Sequence, residues 1–286
     1  MAATRLAGMC SRGKGKRPCE SGGPTPAIFR SRRCRVCWQL ISSGSILAPG
    51  RSSALAIGSA LLTQIVCSRL FGSKQLDLRS PLITGLSLSL LLRADAAWLP
   101  AVAGVIAIAS KFVLRVDGRH LFNPAGLAIV VLLLTTGGVW ISPGQWGTSL
   151  WLGALLVFFA ILVLQAAERS DIALFFLGAH GALLAMRACW LGDPLAIPLH
   201  QMQSGSLLIF AFFMISDPRT TPDSRAARLL FAIAVALVAH YLAFFMQIRP
   251  ALYIALIALS PATFLLNRMM PAKKFEWIAA TQGASR

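Results

Sequence analysis

Polar residues are rare in this sequence, and three clusters of them could do chemistry. The first runs from Lys111 to Pro124 (KFVLRVDGRHLFNP) and the second from Asp217 to Arg228 (DPRTTPDSRAAR). The third is a pair of Ser/Thr-Gly segments that begin two short apolar runs. Basic side chains and the exposed N–H groups of a helix start suit a phosphate or carboxylate. We therefore predict that a bound anion lies near Arg119 and Asn123, or at the helix start formed by Ser204, Gly205 and Ser206.

The same clusters allow other interpretations. Most Lys and Arg residues of the two loops could serve only to orient the chain in a membrane. Ser-Gly pairs also arise by chance in long membrane proteins. Neutral, weakly polar side chains at the two segments would suit a small polar solute. A path across the membrane would then comprise Thr84, Gly85, Ser87 and Asp217.

Several chemistries lack a sequence signature. No His, Asp or Glu pair has the i, i+4 spacing of a helical metal site, and there is no G-x-S-x-G, GxGxxG or P-loop. His180 and His240 fall inside apolar runs, where they could be functional or simply bonded to a neighbouring helix. We expect Cys67 and Cys189 to be packed as small hydrophobic residues. We predict no metal site.

The composition identifies the class of protein. Of 286 residues, 56% are hydrophobic and 13% charged, and the mean hydropathy is +0.69. Soluble domains carry about 25% charged residues. The net charge of +17 is uneven, because residues 1–51 hold ten basic residues and one acid, a net of +9. The pattern excludes a soluble enzyme and does not indicate nucleic-acid binding. It predicts an integral membrane protein.

Nine apolar runs are bounded by charge, Gly or Pro: 52–70, 81–92, 97–114, 123–138, 148–166, 171–187, 203–216, 226–247 and 250–267. Most are long enough to cross roughly 30 Å of hydrocarbon as helices. The two short ones carry the Ser/Thr-Gly segments. With one more helix before residue 52, they would take the third place in two sets of five. An odd number per set makes the repeats inverted, a pattern that marks a site near the membrane midplane.

The fold prediction is therefore all-α. We expect a polytopic membrane protein of about nine to ten transmembrane helices in two inverted five-helix repeats with short interrupted helices. Ser80-Pro81 and Asn123-Pro124 should cap helices, and Asp217-Pro218 should end the second short run. Pro261 should kink the last run.

Charge and tryptophan distribution predict one orientation. Placing loop 71–80 in the cytoplasm leaves 14 of the 17 basic residues after position 51 inside, together with the C-terminus. The outer side then collects tryptophans typical of an interfacial belt. These are Trp98, Trp140, Trp146, Trp151 and Trp190.

The basic tail contradicts this orientation, since residues 1–51 would lie outside. Either a crossing is missing before residue 52 or these residues come from a mis-assigned start. Two further hypotheses are a thiolate metal site and a basic arm that binds anionic lipid or nucleic acid. The thiolate site would use Cys10, Cys19, Cys34 and Cys37. The predicted organisation is a tail (1–51), a transmembrane domain (52–275) and a cytoplasmic C-terminal tail (276–286).

Three motifs resemble those of a known family. GRHLFNPAGLA at 118–128, FFMISDPRTTP at 212–222 and SPLITGLSLSLLLR at 80–93 are similar to the NqrB/RnfD family, over roughly residues 52–275. Members of this family are the B subunit of the sodium-translocating NADH:quinone reductase and the D subunit of the Rnf electron-transport complex. The resemblance implies ten helices in two inverted repeats, a flavin, and electron transfer coupled to ion movement. It also implies partner subunits in a complex of the bacterial inner membrane.

The chain lacks the motif through which members of the family attach their flavin. The redox subunits attach FMN through a phosphoester to Thr in an S/T-G-A-T motif, whereas the corresponding stretch here, Gln165 to Ile172, reads QAAERSDI. The resemblance therefore predicts FMN or riboflavin held without a covalent bond. Any enzymatic role would be that of a subunit of a flavin-dependent complex. The alternatives are a stand-alone transporter or channel for a small solute without redox activity, and a scaffold that binds nothing.

Overall fold

The computed structural model describes residues 49–71, 77–116, 118–142 and 170–272. These residues form ten α-helices, one π-helix and four short strands. The first part of the chain contains α1 (Pro49–Leu70), α2 (Arg79–Leu91), β1 (Leu92–Ala94), α3 (Trp98–Val113), β2 (Arg115–Val116), β3 (Arg119–His120), α4 (Pro124–Thr135) and β4 (Val139–Ile141). The second contains α5 (Ser170–Leu191), α6 (Ala196–Met202), α7 (Gly205–Ile209), a π-helix (Phe210–Met214), α8 (Arg225–Phe244), α9 (Ala251–Leu259) and α10 (Ala262–Met269).

The prediction of an all-helical membrane protein is confirmed. Three helices are long and apolar enough to cross a membrane: Arg51–Leu70, Ser170–Leu191 and Arg225–Phe244. The pair α9 and α10 makes a fourth candidate, bent by 49° at the break that contains Pro261, as predicted. Shorter apolar helices cover Trp98–Val113, Pro124–Thr135 and Gly205–Met214. The count of nine to ten crossings and the inverted repeats stay predictions.

Part of the predicted organisation lies outside the described residues. This holds for most of the tail, with its four cysteines and the proposed extra helix, and for the run 148–166 with Trp146 and Trp151. It holds also for the C-terminal tail at 276–286. The division into a tail, a transmembrane domain and a C-terminal segment stays a prediction.

Two small antiparallel pairs of strands mark the ends of helices. β1 pairs with β4, with Arg93 opposite Trp140, so α3 begins at the same end of the molecule as α4 finishes. β2 and β3 form a hairpin in which Arg115 lies opposite His120. Gly118 has a φ of 77°, which only glycine adopts without strain, and the tight turn places β3 directly before α4.

Small residues pack α1 closely against α2 and α3. A Cβ atom added at Gly104 would lie 2.7 Å from the carbonyl oxygen of Ala56, and one added at Gly85 would lie 2.8 Å from the Cα of Ile57. Such short approaches between backbones are a general way of packing membrane helices.

Of the two helix caps predicted from the sequence, the structure confirms one. Asn123 caps α4, and its Oδ1 accepts a hydrogen bond from the N–H of Gly126 at 3.0 Å. The prediction for Ser80 is wrong, because α2 already begins at Arg79. The N–H of Arg79 instead donates to Oδ1 of Asp77 at 3.0 Å.

Candidate functional site

The polar side chains converge at one end of the helices, which we call the basic face. It consists of the strands β2 and β3, which we call the hairpin, the starts of α2, α4, α5 and α8, and the loop 215–224. Most of its contacts join residues that are far apart in the sequence. They bring together the first two predicted clusters, 111–124 and 217–228.

An ion pair links the hairpin to the loop. Nη2 of Arg119 lies 2.9 Å from Oδ1 of Asp223, and both side chains are largely buried. The backbone of Asp223 is held in turn, because its N–H donates to Oδ1 of Asn267 at 2.8 Å and its carbonyl accepts from Nη1 of Arg228 at 2.6 Å. Arg119 is therefore fixed in one position.

A second link joins His120 to Arg219. Nη1 of Arg219 lies 3.4 Å from Nε2 of His120. Burial lowers the pKa of His120 to about 4, and the positive charges of Arg219, Lys111 and Arg115 act in the same direction. The imidazole is consequently neutral at pH 7, and Nε2 can accept a hydrogen bond from the guanidinium.

Asn123 connects α4 to the second short helix. Its Oδ1 caps α4, while its Nδ2 donates to the carbonyl oxygen of Met214 at 3.4 Å. Met214 is the last residue of the π-helix. The second short helix therefore ends at the basic face.

The first short helix begins at the same face. Nζ of Lys111, in the last turn of α3, donates to Oγ of Ser80 at 2.8 Å and to Oγ1 of Thr84 at 3.0 Å. The two short helices thus run in opposite directions across the protein, as inverted repeats would require.

A further ion pair was not foreseen from the sequence. Nε of Arg228 lies 3.0 and 2.9 Å from the two carboxylate oxygens of Asp171, and it joins the first turns of α5 and α8. The signal available in the sequence was an acid directly before an apolar run, where ionisable residues usually have a partner.

The predicted anion-binding residues fall into two groups. Arg119 and Asn123 lie at the basic face. Ser204, Gly205 and Ser206 lie at the start of the second short helix, where Oγ of Ser204 is 3.0 Å from Oγ of Ser206. The ten residues 205–214 make roughly 15 Å of helix, so one phosphate cannot contact both groups.

The predicted transport residues lie on or beside the short helices. The hydroxyl of Ser87 donates to the carbonyl of Ile83 at 2.9 Å, and Gly85 lies against α1. Asp217 follows the second short helix, where its Oδ1 accepts from the N–H of Arg219 at 3.0 Å. That these four residues line a transport path stays a prediction.

Away from the basic face, aromatic side chains pack around the first residue of the π-helix. The ring of Phe210 lies 5.1 Å from that of Phe176 and 5.5 Å from that of Tyr253, and Phe176 also stacks on His180 at 5.6 Å. The N–H of Ile215 reaches back five residues to the carbonyl of Phe210 at 3.0 Å. A π-helix of this kind is frequent at functional sites.

Two buried nitrogens of the basic face, Nη1 of Arg119 and Nδ1 of His120, have no hydrogen-bond partner among the described residues. Arginine N–H groups commonly donate to carboxylate and phosphate oxygens, so a group that reaches Nη1 of Arg119 would be an acceptor of this kind. Among the described residues, no group of three or more His, Cys, Asp or Glu could hold a metal ion.

Part of the chain matches a known protein family. Residues 135–276 match the family described as NQR2, RnfD, RnfE. The matched region includes FFMISDPRTTP at 212–222, whereas the motifs at 80–93 and 118–128 lie before it. No curated protein matches the chain.

Proposed function

Since the chain belongs to the NQR2, RnfD, RnfE family, and is a membrane subunit of the type found in NQR and Rnf complexes, we propose that it carries electrons through a bound flavin and couples this transfer to ion movement across the membrane. The family implies both roles. The observation in this chain that supports a flavin nucleotide is the buried Nη1 of Arg119.

FMN is the cofactor that this arrangement favours, since riboflavin has no phosphate for Arg119 to bind. When bound, the flavin would accept and release electrons one or two at a time. The residues of this chain would hold its phosphate at Arg119, which Asp223 keeps in place. Asn123 would hold the adjoining helix start against Met214. The sequence lacks the Thr of the family's attachment motif, so we propose noncovalent binding.

Ion movement would use the two short helices. They run in opposite directions and bring Thr84 and Asp217 to the basic face. Buried polar groups in such segments usually line the route of an ion or a proton.

The proposed setting is the bacterial inner membrane, with the basic face and the C-terminus in the cytoplasm and with other membrane subunits as partners. Large apolar side chains of α1, α5 and α8 are exposed, as contact with lipid requires. Partner subunits would supply and remove the electrons.

The experiment is to purify the protein in mild detergent and record its visible absorbance before and after acid precipitation. Absorbance near about 450 nm, the flavin region, that acid releases supports noncovalent flavin. Arg119→Gln should lose at least half of this colour, because it removes the guanidinium. Arg115→Gln is the matched control, since Arg115 is on the same hairpin but exposed.

Three results would contradict the proposal. Colour that stays in the pellet would mean a covalent site. Equal flavin content in Arg119→Gln and Arg115→Gln would mean that Arg119 does not bind the flavin. A folded, colourless wild-type protein would favour a transporter or a scaffold.

A further inference from the structure

Lys111 is a charged residue buried in the protein. Its exposed fraction is 7%, and it lies in the last turn of α3, a largely apolar helix. Lysine is almost never fully buried unless its ammonium group has partners, because transfer of a charge out of water is costly. The groups that compensate this charge therefore matter.

Two hydroxyl groups bind the ammonium. Oγ of Ser80 is 2.8 Å and Oγ1 of Thr84 3.0 Å from Nζ of Lys111. The two residues are four positions apart, so they lie one above the other on the same side of α2. Together they form a pair of oxygen ligands at the start of the first short helix.

The orientation of Thr84 favours any cation at this position. Its hydroxyl donates to the carbonyl oxygen of Ser80 at 2.9 Å. A hydroxyl has one proton to donate and two lone pairs. Because the proton is directed at the backbone, the oxygen presents a lone pair to Nζ, as it would to a metal cation.

The charges around Lys111 come from three elements. Asp77 precedes α2, and Asp217 and Arg219 belong to the loop after the π-helix; all three act electrostatically on Lys111. On the hairpin, His120 feels the charge of both Lys111 and Arg115. The two carboxylates offset the positive charge that Lys111 brings to this position.

We propose that Lys111 is a tethered cation that occupies a monovalent-cation site formed by Ser80 and Thr84. Its ammonium group occupies the position between the two hydroxyls and so excludes sodium from the start of the first short helix. This inference rests on the ion-moving part of the proposed function. It makes Lys111 a specificity-determining residue.

The test measures binding of sodium itself. The purified protein is unfolded by heat in sodium chloride and in choline chloride of equal ionic strength. Wild type at neutral pH should give the same midpoint in both salts. Lys111→Met keeps an unbranched apolar stem but lacks the terminal ammonium, which vacates the hydroxyls, so sodium should raise the midpoint. At a sodium concentration ten times the Kd, the unfolding constant should fall about tenfold.

Two variants serve as controls. Lys111→Arg keeps a positive charge and should not respond to sodium. Lys111→Met combined with Thr84→Val removes one ligand and should lose the response of the single variant. A folded Lys111→Met protein that responds equally to sodium and choline would overturn the proposal.

A second variant covers the case in which Lys111→Met does not fold. Lys111→Ala also removes the ammonium from the two hydroxyls, so sodium should raise its unfolding midpoint relative to choline. Absence of a sodium response in a folded Lys111→Ala protein would overturn the proposal. Neither measurement needs a flavin, so a colourless protein that binds sodium would contradict the redox role and support the site.

Discussion

At the scale of single residues, Asn123 has the most defined structural role. It closes the first turn of α4 and donates to the end of the π-helix, so one side chain fixes two elements. The Asn-Pro pair that predicts the cap is local, whereas the contact with Met214 spans 91 positions.

We expect Asn123→Ala to lower the free energy of unfolding by about 1 kcal/mol through the lost cap, and by somewhat more through the lost contact with Met214. The measurement is the thermal midpoint in detergent. Thr135→Ala is the matched control, because Thr135 is at the other end of α4 and its hydroxyl only donates to the carbonyl of Val131. Equal midpoints for the two variants would contradict this role.

At the scale of elements, the close packing of α1 against α2 and α3 lets Lys111 on α3 contact Ser80 and Thr84 on α2. α1 packs against both α2 and α3 through small residues, and this holds the start of α2 beside the end of α3. The fit of the helices therefore supports the contacts at the basic face.

Gly104→Ala tests this packing. The new methyl group would lie 2.7 Å from a backbone oxygen of α1, so the helices must separate, at a cost of about 1–3 kcal/mol. Gly58→Ala on α1 is the control, because nothing lies within 4 Å of the added Cβ. A lower thermal midpoint is expected for Gly104→Ala alone, and an unchanged midpoint would exclude tight packing at this glycine.

At the scale of the whole molecule, the two ends of the helix bundle differ in chemistry. One end is the basic face. At the other end, Trp98, Trp140 and Trp190 are exposed, which is typical of a membrane interface. The contact of Asp171 with Arg228 shows that α5 and α8 both begin at the basic face, so Trp190 near the end of α5 is far from it.

The predicted orientation can be tested by thiol labelling of intact cells with a reagent that does not cross membranes. In a background without native cysteines, Asp193→Cys should be labelled from outside. Arg115→Cys should be labelled only after lysis. Both positions are exposed, so access to the side chain is not limiting. The reverse pattern would place the basic face outside.

The sequence alone determined the class of the protein and most of its helices. Eight of the nine apolar runs fall within the described residues, and each of them forms a helix or a broken pair of helices. The bend at Pro261 and the cap at Asn123 also followed from the sequence. These features depend on composition and on neighbouring residues, so no knowledge of packing is needed to predict them.

The tertiary structure decided which polar groups meet. The pairs Arg119–Asp223 and Lys111–Thr84 join positions 104 and 27 apart, and no local pattern marks either. It also separated Ser204 from Arg119, although both are suited to an anion. A buried charge takes whichever partner the packing of apolar helices brings within reach, and that packing depends on the shape of every side chain at the interface.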